Sequence, residues 1–232
     1  MSDEPTVRDG RLLARSKEYY DRWYAGPPIA PRDFGAYLDF LRPVPERGSW
    51  LDVGCGRGFM LRELDALAGW RAVGVDLSPR ALRSAAGIAG RAHTLCADGE
   101  ALPFPDATFD VATALGTLEH FPDPGRGAAE VARVLKPGGT ALIVVPNERF
   151  LPWKLGGRAG TEQKDNLELL LDLSAWRALL GAAGLAVMEV RKDPWHTKPA
   201  SLPVRGLRRL ANGLIPLVWT YQFAFVCRRP AG

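Results

Sequence analysis

The chain has 232 residues, of which 47% are hydrophobic and 24% charged, and its net charge is +4. That length carries one domain with appendages and a sizeable core, and the composition is that of a globular protein, not a disordered or fibrous one. So mild a charge does not by itself announce a nucleic-acid partner, and no apolar run nears the ~20 residues that span a bilayer.

The polar, acidic start Met1-Ser2-Asp3-Glu4-Pro5 does not read as a signal peptide. Cys55, Cys96 and Cys227 are an odd number without metal-ligand spacing. They are expected to be buried, reduced thiols in a cytoplasmic protein.

Met1 to about Ser16 is polar and expected to fray. Lys17 to Tyr24 reads as a short helix with a stripe of Tyr19, Tyr20, Trp23 and Tyr24, and a second helix is expected from about Asp33 to Leu41. Residues 1–45 are thus a helical cap on a main domain, 46–232. That domain opens with an apolar strand ending at Val53 and a turn, Gly54-Cys55-Gly56-Arg57-Gly58, that enters a helix from about Phe59 to Ala68. Met60, Leu61, Leu64, Leu67 and Ala68 share one face of it, and Gly69 is placed to end it.

A strand that turns on glycines into a helix makes a floor for a nucleotide-like ligand. Glycine allows the tight turn and lets a ligand approach without meeting a Cβ, and a helix N-terminus offers N–H groups to an anion. A dinucleotide fingerprint, G-x-G-x-x-G, would need its third glycine where this chain has Phe59. The pattern present is D-x-G-x-G-x-G, formed by Asp52, Gly54, Gly56 and Gly58. An acid just before the glycines repels a pyrophosphate and suits an ammonium.

Arg71 to Val75 is the second strand and ends in Asp76-Leu77, after which Ser78 caps a helix with Pro79 in its first turn. Asp76 lies 18 residues after Gly58, where an α/β unit places an acid that accepts from ribose hydroxyls. His93 to Cys96 is a short third strand, followed by Asp98-Gly99. Phe109 to Leu115 is the fourth, and Gly116-Thr117-Leu118-Glu119-His120 follows it. Ligands of open α/β sheets bind beyond the carboxyl ends of the strands, so His120 is a candidate general base, or else a brace for the next helix.

Asp123-Pro124 caps that helix, Ala128, Val131, Ala132 and Leu135 form its apolar face, and Lys136-Pro137-Gly138-Gly139 is expected to stop it. Ala141 to Val145 is the fifth strand. Residues of about 147–170 are irregular and long enough to be a lid. A helix from Ala175 to Ala183 with Ser174 as N-cap, a strand from Leu185 to Val190 and a final strand from Tyr221 to Cys227 complete the order. The insertion of about 191–218 carries Arg205, Arg208 and Arg209 among apolar residues and no acid from Ser201 to Val218. It could face an anionic membrane or a lipid-linked substrate, or pack on the core.

With these motifs in this order, the chain resembles the class I S-adenosylmethionine (SAM) dependent methyltransferases, in their small-molecule, type-11 branch. The resemblance is strong over about Trp50 to Val145. It implies a Rossmann-like, doubly wound α/β fold whose seven-stranded sheet is mostly parallel, has an antiparallel last strand, and runs in the order 3-2-1-4-5-7-6. It also implies a SAM site leaving S-adenosylhomocysteine as product. In that site Gly54, Gly56 and Gly58 form the floor, Cys55 between them is a further cofactor-binding residue, and Asp52 helps place the methionine ammonium, directly or through the loop. Asp76 holds the ribose with Leu77 a further cofactor-binding residue beside it, Asp98 and Gly99 hold the adenine, Leu115 lies near the methionine amine, and Tyr19 or Tyr20 closes over the top.

The ubiquinone-type O-methyltransferases hold a divalent metal with a Glu three residues before a Glu-His pair. Here Glu119-His120 is present but the earlier position is Gly116, so no metal is expected. The segment after strand four also lacks the Asn/Asp-Pro-Pro-aromatic run of base amino-methyltransferases and the second glutamate of protein arginine methyltransferases. The expected function is methyl transfer to an O, N or C nucleophile of a small molecule, lipid-linked or a secondary metabolite, with no DNA partner. The alternatives are an RNA methyltransferase, which would use the basic insertion as its phosphate surface, and a non-catalytic SAM-binding subunit.

Overall fold

The computed structural model describes residues 10–26, 34–42, 46–150, 153, 168–193 and 214–231. Most of the expected lid and of the basic insertion lies outside these residues.

Seven strands form one sheet: β1 (Gly48–Val53), β2 (Trp70–Asp76), β3 (His93–Cys96), β4 (Phe109–Leu115), β5 (Leu135–Pro146), β6 (Ala186–Lys192) and β7 (Gln222–Arg228). Their spatial order is β3-β2-β1-β4-β5-β7-β6. The pairs of β1 with β2 and β4, of β2 with β3 and of β4 with β5 are parallel, and β7 runs antiparallel to both neighbours. Order and polarity are those expected. The central strands are apolar on both faces because helices cover both.

One face packs α5 (Pro124–Val134) and α6 (Leu173–Ala182) over Leu51, Val53, Ala112 and Ile143. The other packs α2 (Gly35–Leu38) and α3 (Phe59–Asp65), with Leu82 of α4 (Pro79–Ala85) beside them, over Trp50, Val111, Leu142 and Val144. The alternation of Trp50 and Leu51 between the two clusters is the two-residue period of a strand. Leu142 is fully buried in the second cluster. Its replacement by alanine should cost about 2–5 kcal/mol, read from a denaturant melt.

Several local expectations are corrected. Helix α1 runs Gly10–Trp23, not Lys17 to Tyr24, so the stretch from Gly10 to Ser16 is helical and not frayed. The second helix is shorter than expected at Gly35–Leu38, and α3 ends at Asp65, where Ala66 and Leu67 take a turn towards Gly69. Helix α5 ends at Val134, and Lys136-Pro137-Gly138-Gly139 belongs to β5. Leu135 already pairs with Phe109, and the ladder resumes at Thr140 after a bulge. Helix α6 is capped by Asp172, not Ser174, because its carboxylate accepts from both Ser174 N–H and Ala175 N–H. Cys55 and Cys227 are buried, whereas Cys96 is exposed, since β3 is the outer strand of the sheet. The expected cap at Ser78 is present, its hydroxyl accepting from Ala81 N–H at 3.2 Å.

Candidate cofactor site

The glycine turn leaves β1 between β2 and β4, where the strand order reverses. Gly54, Gly56 and Gly58 all have positive φ, at 71°, 53° and 79°. Gly54 also has no room for a side chain, since a Cβ there would lie 2.5 Å from Thr117 Cγ2 and Oγ1. Thr117 is fixed by its own hydroxyl, which donates to the Val53 carbonyl at 3.1 Å.

Asp76 ends β2 beneath this turn. Its carboxylate accepts from Gly56 N–H at 2.8 Å and from Ser78 N–H at 2.9 Å. Gly54 N–H and Cys55 N–H both donate to the Val75 carbonyl, at 2.8 and 2.9 Å. Three loop amides are therefore spent inside the protein. The turn offers a ligand its shape, and the acids around it supply negative charge, which is the opposite of a pyrophosphate cradle.

Above the turn lies a cavity of about 450 Å³. All the residues expected to form a site line it: Tyr20, Asp52, Gly54, Cys55, Gly56, Asp76, Leu77, Asp98, Gly99, Leu115 and His120. They come from α1 and from the carboxyl ends of β1, β2, β3 and β4. Asp98 turns back to accept from Glu100 N–H at 2.8 Å, which sets the Asp98-Gly99 corner.

The cavity has further walls that the motifs did not reveal. Phe121, Thr117 and Ala97 line it from the sheet side, and Leu13, Ser16, Trp23 and Tyr24 line it from α1. Leu13, Ser16, Tyr20 and Trp23 recur at helical spacing, a signal present in the sequence once Gly10 to Ser16 is taken as helix. Polar contacts dock α1 on the sheet. Asp21 accepts from the Ser78 hydroxyl, and the Arg57 guanidinium donates to the carbonyls of Tyr24 and Gly26, at 3.3 and 2.8 Å.

Burial dominates the site's electrostatics. It pushes the Asp52 carboxyl up to about 7 against the hydrogen bond from Thr113, which lowers it. It also pushes Asp76 up to about 6, opposed by the two backbone N–H donors. The Tyr20 phenol is held far above its ordinary value by burial and then by Glu119.

His120 closes the short 3-10 turn of Leu118–His120 and packs edge-on to Tyr20, with ring centroids 6.0 Å apart. Glu119 is not among the cavity-lining residues. Its carboxyl is buried, with Oε1 3.9 Å from His120 Nε2, and Oε2 has no hydrogen-bond partner among the described residues. Burial, with Glu168 adding to it, pushes Glu119 up to about 8. A carboxyl held protonated in the folded chain lowers stability as pH rises from the unfolded value of about 4.5 to about 8, because the unfolded state sheds the proton first. Glu119→Gln should therefore raise the melting temperature at about pH 8 by the equivalent of at least about 1 kcal/mol and change it little at about pH 5, as scanning calorimetry would show.

Residues 51–143 match the family model described as "Methyltransferase domain". The human methyltransferase-like protein 27 is 31% identical over 207 residues, covering 82% of this chain and 81% of that protein. The chain belongs to the class I SAM-dependent methyltransferases. A second methyltransferase relative is the 2-methyl-6-phytyl-1,4-hydroquinone methyltransferase of Synechocystis, 32% identical over 138 residues, which are 54% of this chain and 43% of that one. The chain spans less than half the length of the first curated relatives it matches.

Among solved methyltransferase structures, a phosphoethanolamine N-methyltransferase 2 of Haemonchus contortus, in complex with S-adenosylhomocysteine, superposes with a TM-score of 0.68. It is 18% identical and covers 99% of this chain and 62% of that one, a likeness of fold.

The family's cofactor fits the residues present. SAM has an ammonium, a ribose diol and an adenine. The cavity presents Asp52 and Asp76 buried at the turn and the Asp98-Gly99 corner beyond them. The crowding at Gly54 keeps the turn bare of side chains. Among the described residues no three His, Cys, Asp or Glu side chains are grouped to hold a metal ion, and no helix is long and apolar enough to cross a membrane.

Proposed function

We propose that the protein moves a methyl group from SAM to an O, N or C nucleophile of a small molecule and leaves S-adenosylhomocysteine. The observation that carries this reading is the cavity at the switch point of the sheet, where a bare glycine turn meets three acids from three successive strand ends. Bound SAM supplies a methyl carbon already made electrophilic by its sulfonium. The chain's own task is to bind, align and exclude water, and such positioning lowers a barrier by roughly 7–11 kcal/mol in favourable cases.

In this reading Asp52 pairs with the ammonium, Asp76 accepts from the ribose hydroxyls and Asp98 accepts from the adenine amine. Leu77, Cys55 and Leu115 pack along the ligand. Tyr20 and the rest of α1 keep water out from above, a role its half-buried ring on the cavity wall suits. His120, buried on the cavity wall, takes the proton of the acceptor as the new bond forms. A base of this kind contributes about 10²–10⁴-fold. His120→Gln should lower kcat by about that factor and leave S-adenosylhomocysteine affinity within about threefold of wild type. Equal activity in the variant would remove the base assignment.

The hydroquinone in the name of the Synechocystis relative makes a quinol ring, with or without an isoprenoid tail, the first acceptor to test. A cytoplasmic location belongs to the same reading. Calorimetry with S-adenosylhomocysteine, with NAD and NADP as controls, tests the cofactor. Micromolar binding of the first alone is expected. Binding of a nicotinamide cofactor alone would overturn the proposal. Labelled SAM offered to candidate quinols then tests the transfer.

A further inference from the structure

Trp50 and Asp52 are two residues apart on β1 and so project to the same face of the sheet. Asp52 stands in register with Thr113 on β4. The Trp50 indole N–H donates to Thr113 Oγ1 at 3.2 Å, and Thr113 Oγ1 donates its one proton to Asp52 Oδ1 at 2.7 Å. The Leu51 carbonyl, at 3.4 Å, is the longer and uncharged alternative acceptor. Trp50 and Thr113 have no exposed surface, and Asp52 is 3% exposed. A valine would fill the volume of Thr113 without burying a polar atom, so the hydroxyl needs a reason to be there.

We infer that Thr113 is a positioning residue for the cofactor, its hydroxyl locked by the Trp50 indole so that the ionised form of the Asp52 carboxylate is favoured and fixed in orientation for the ammonium. This rests on the SAM reading above. It goes beyond that reading by making cofactor capture depend on a strand residue that does not line the cavity and need not touch the ligand.

The groups around Asp52 explain why such a donor matters. Asp76 faces it from the end of β2 and the Cys55 thiol from the turn, and both interact with it unfavourably when charged. Tyr20 from α1 and His120 from the turn after β4 line the same cavity. Arg57 is the one Lys or Arg among the described cavity-lining residues, and its guanidinium is spent on the carbonyls of Tyr24 and Gly26. Among the described residues no cation therefore offsets the burial of Asp52, and the Thr113 hydroxyl is the group that lowers its proton affinity. Without it the carboxyl stays protonated to higher pH, and a neutral acid does not pair with an ammonium.

The test is calorimetric titration of the full chain with S-adenosylhomocysteine between about pH 5.5 and pH 8, in pairs of buffers that differ in ionisation enthalpy, so that protons released on binding are counted. Wild type should release protons near pH 6 and almost none near pH 8, because binding draws Asp52 and Asp76 to their charged forms. Thr113→Val should move the upper end of that release window up by about one pH unit, binding about tenfold more weakly at pH 6.5 and recovering much of the difference near pH 8. Thr113→Ser keeps the hydroxyl and should follow wild type.

Loss of affinity by the same factor at every pH, or a Thr113→Val profile that overlays wild type, would overturn the inference. Wild type that binds without releasing protons near pH 6 would overturn it even if Thr113→Val does not fold. No binding of S-adenosylhomocysteine to wild type at any pH would be a different failure, that of the cofactor reading itself.

Discussion

Replacing Asp76 with alanine should weaken S-adenosylhomocysteine binding by about 100-fold, the equivalent of one or two hydrogen bonds to a charged group. The sequence alone suggests that this variant would lose ligand and keep its fold unchanged. The structure adds a second cost, since Asp76 also accepts from Gly56 N–H and Ser78 N–H. Alanine leaves both donors without their acceptor at a buried corner, at about 1–3 kcal/mol each if water does not replace the carboxylate. Asp76→Asn is the cleaner probe, because its amide oxygen can still accept from one of the two. It should retain most of the stability and lose most of the affinity. Calorimetric binding with a parallel thermal melt separates the two effects, and Asp76→Asn binding as tightly as wild type would remove the ribose assignment.

Gly54→Ala should be the most damaging single methyl in the cofactor turn. The backbone there has φ 71°, a conformation that costs an L-residue about 1–2 kcal/mol. The new Cβ would also lie 2.5 Å from Thr117 Cγ2 and Oγ1. Thr117 cannot swing away freely, because its hydroxyl is bonded to the Val53 carbonyl. A loss of at least about 3 kcal/mol follows, or roughly 6–12 °C in melting temperature for a chain of this size, with loss of detectable ligand binding. Adding Thr117→Ala to this variant removes the obstructing atoms and should recover part of the stability, and the double-mutant cycle would show the two positions strongly coupled. Additive effects would mean that the turn relaxes instead of clashing.

The parts of the site that were legible from the residues are those whose chemistry sits in a short run. The turn at Gly54 and the acid at Asp76 each need only their own neighbours and a strand end to be placed, so both were recognisable before any contact was known, whereas Asp98-Gly99 by itself reads as a turn and took its expected role from the resemblance. The strand order beyond a doubly wound sheet was not carried by periodicity and came from resemblance. Long-range choices were less legible. Thr113 reads as an ordinary strand residue until β4 is laid beside β1 in register. Cys96 reads as a core thiol until β3 proves to be the outermost strand. Asp172 and Ser174 are both good caps for α6, and only the converging N–H groups of Ser174 and Ala175 favour the aspartate.

Helix α1 is tied to the body by the Asp21 carboxylate, by Arg57 and by the aromatic rings along its inner side, while much of its outer surface faces water. Ties of that kind exchange readily with solvent, and an element held this way opens locally at far lower cost than the sheet beneath it. With the cofactor beneath α1, as in the proposed function, exchange would wait on that helix detaching, so variants at Asp21 or Arg57 should alter association and dissociation rates together and leave the equilibrium constant nearly where it was.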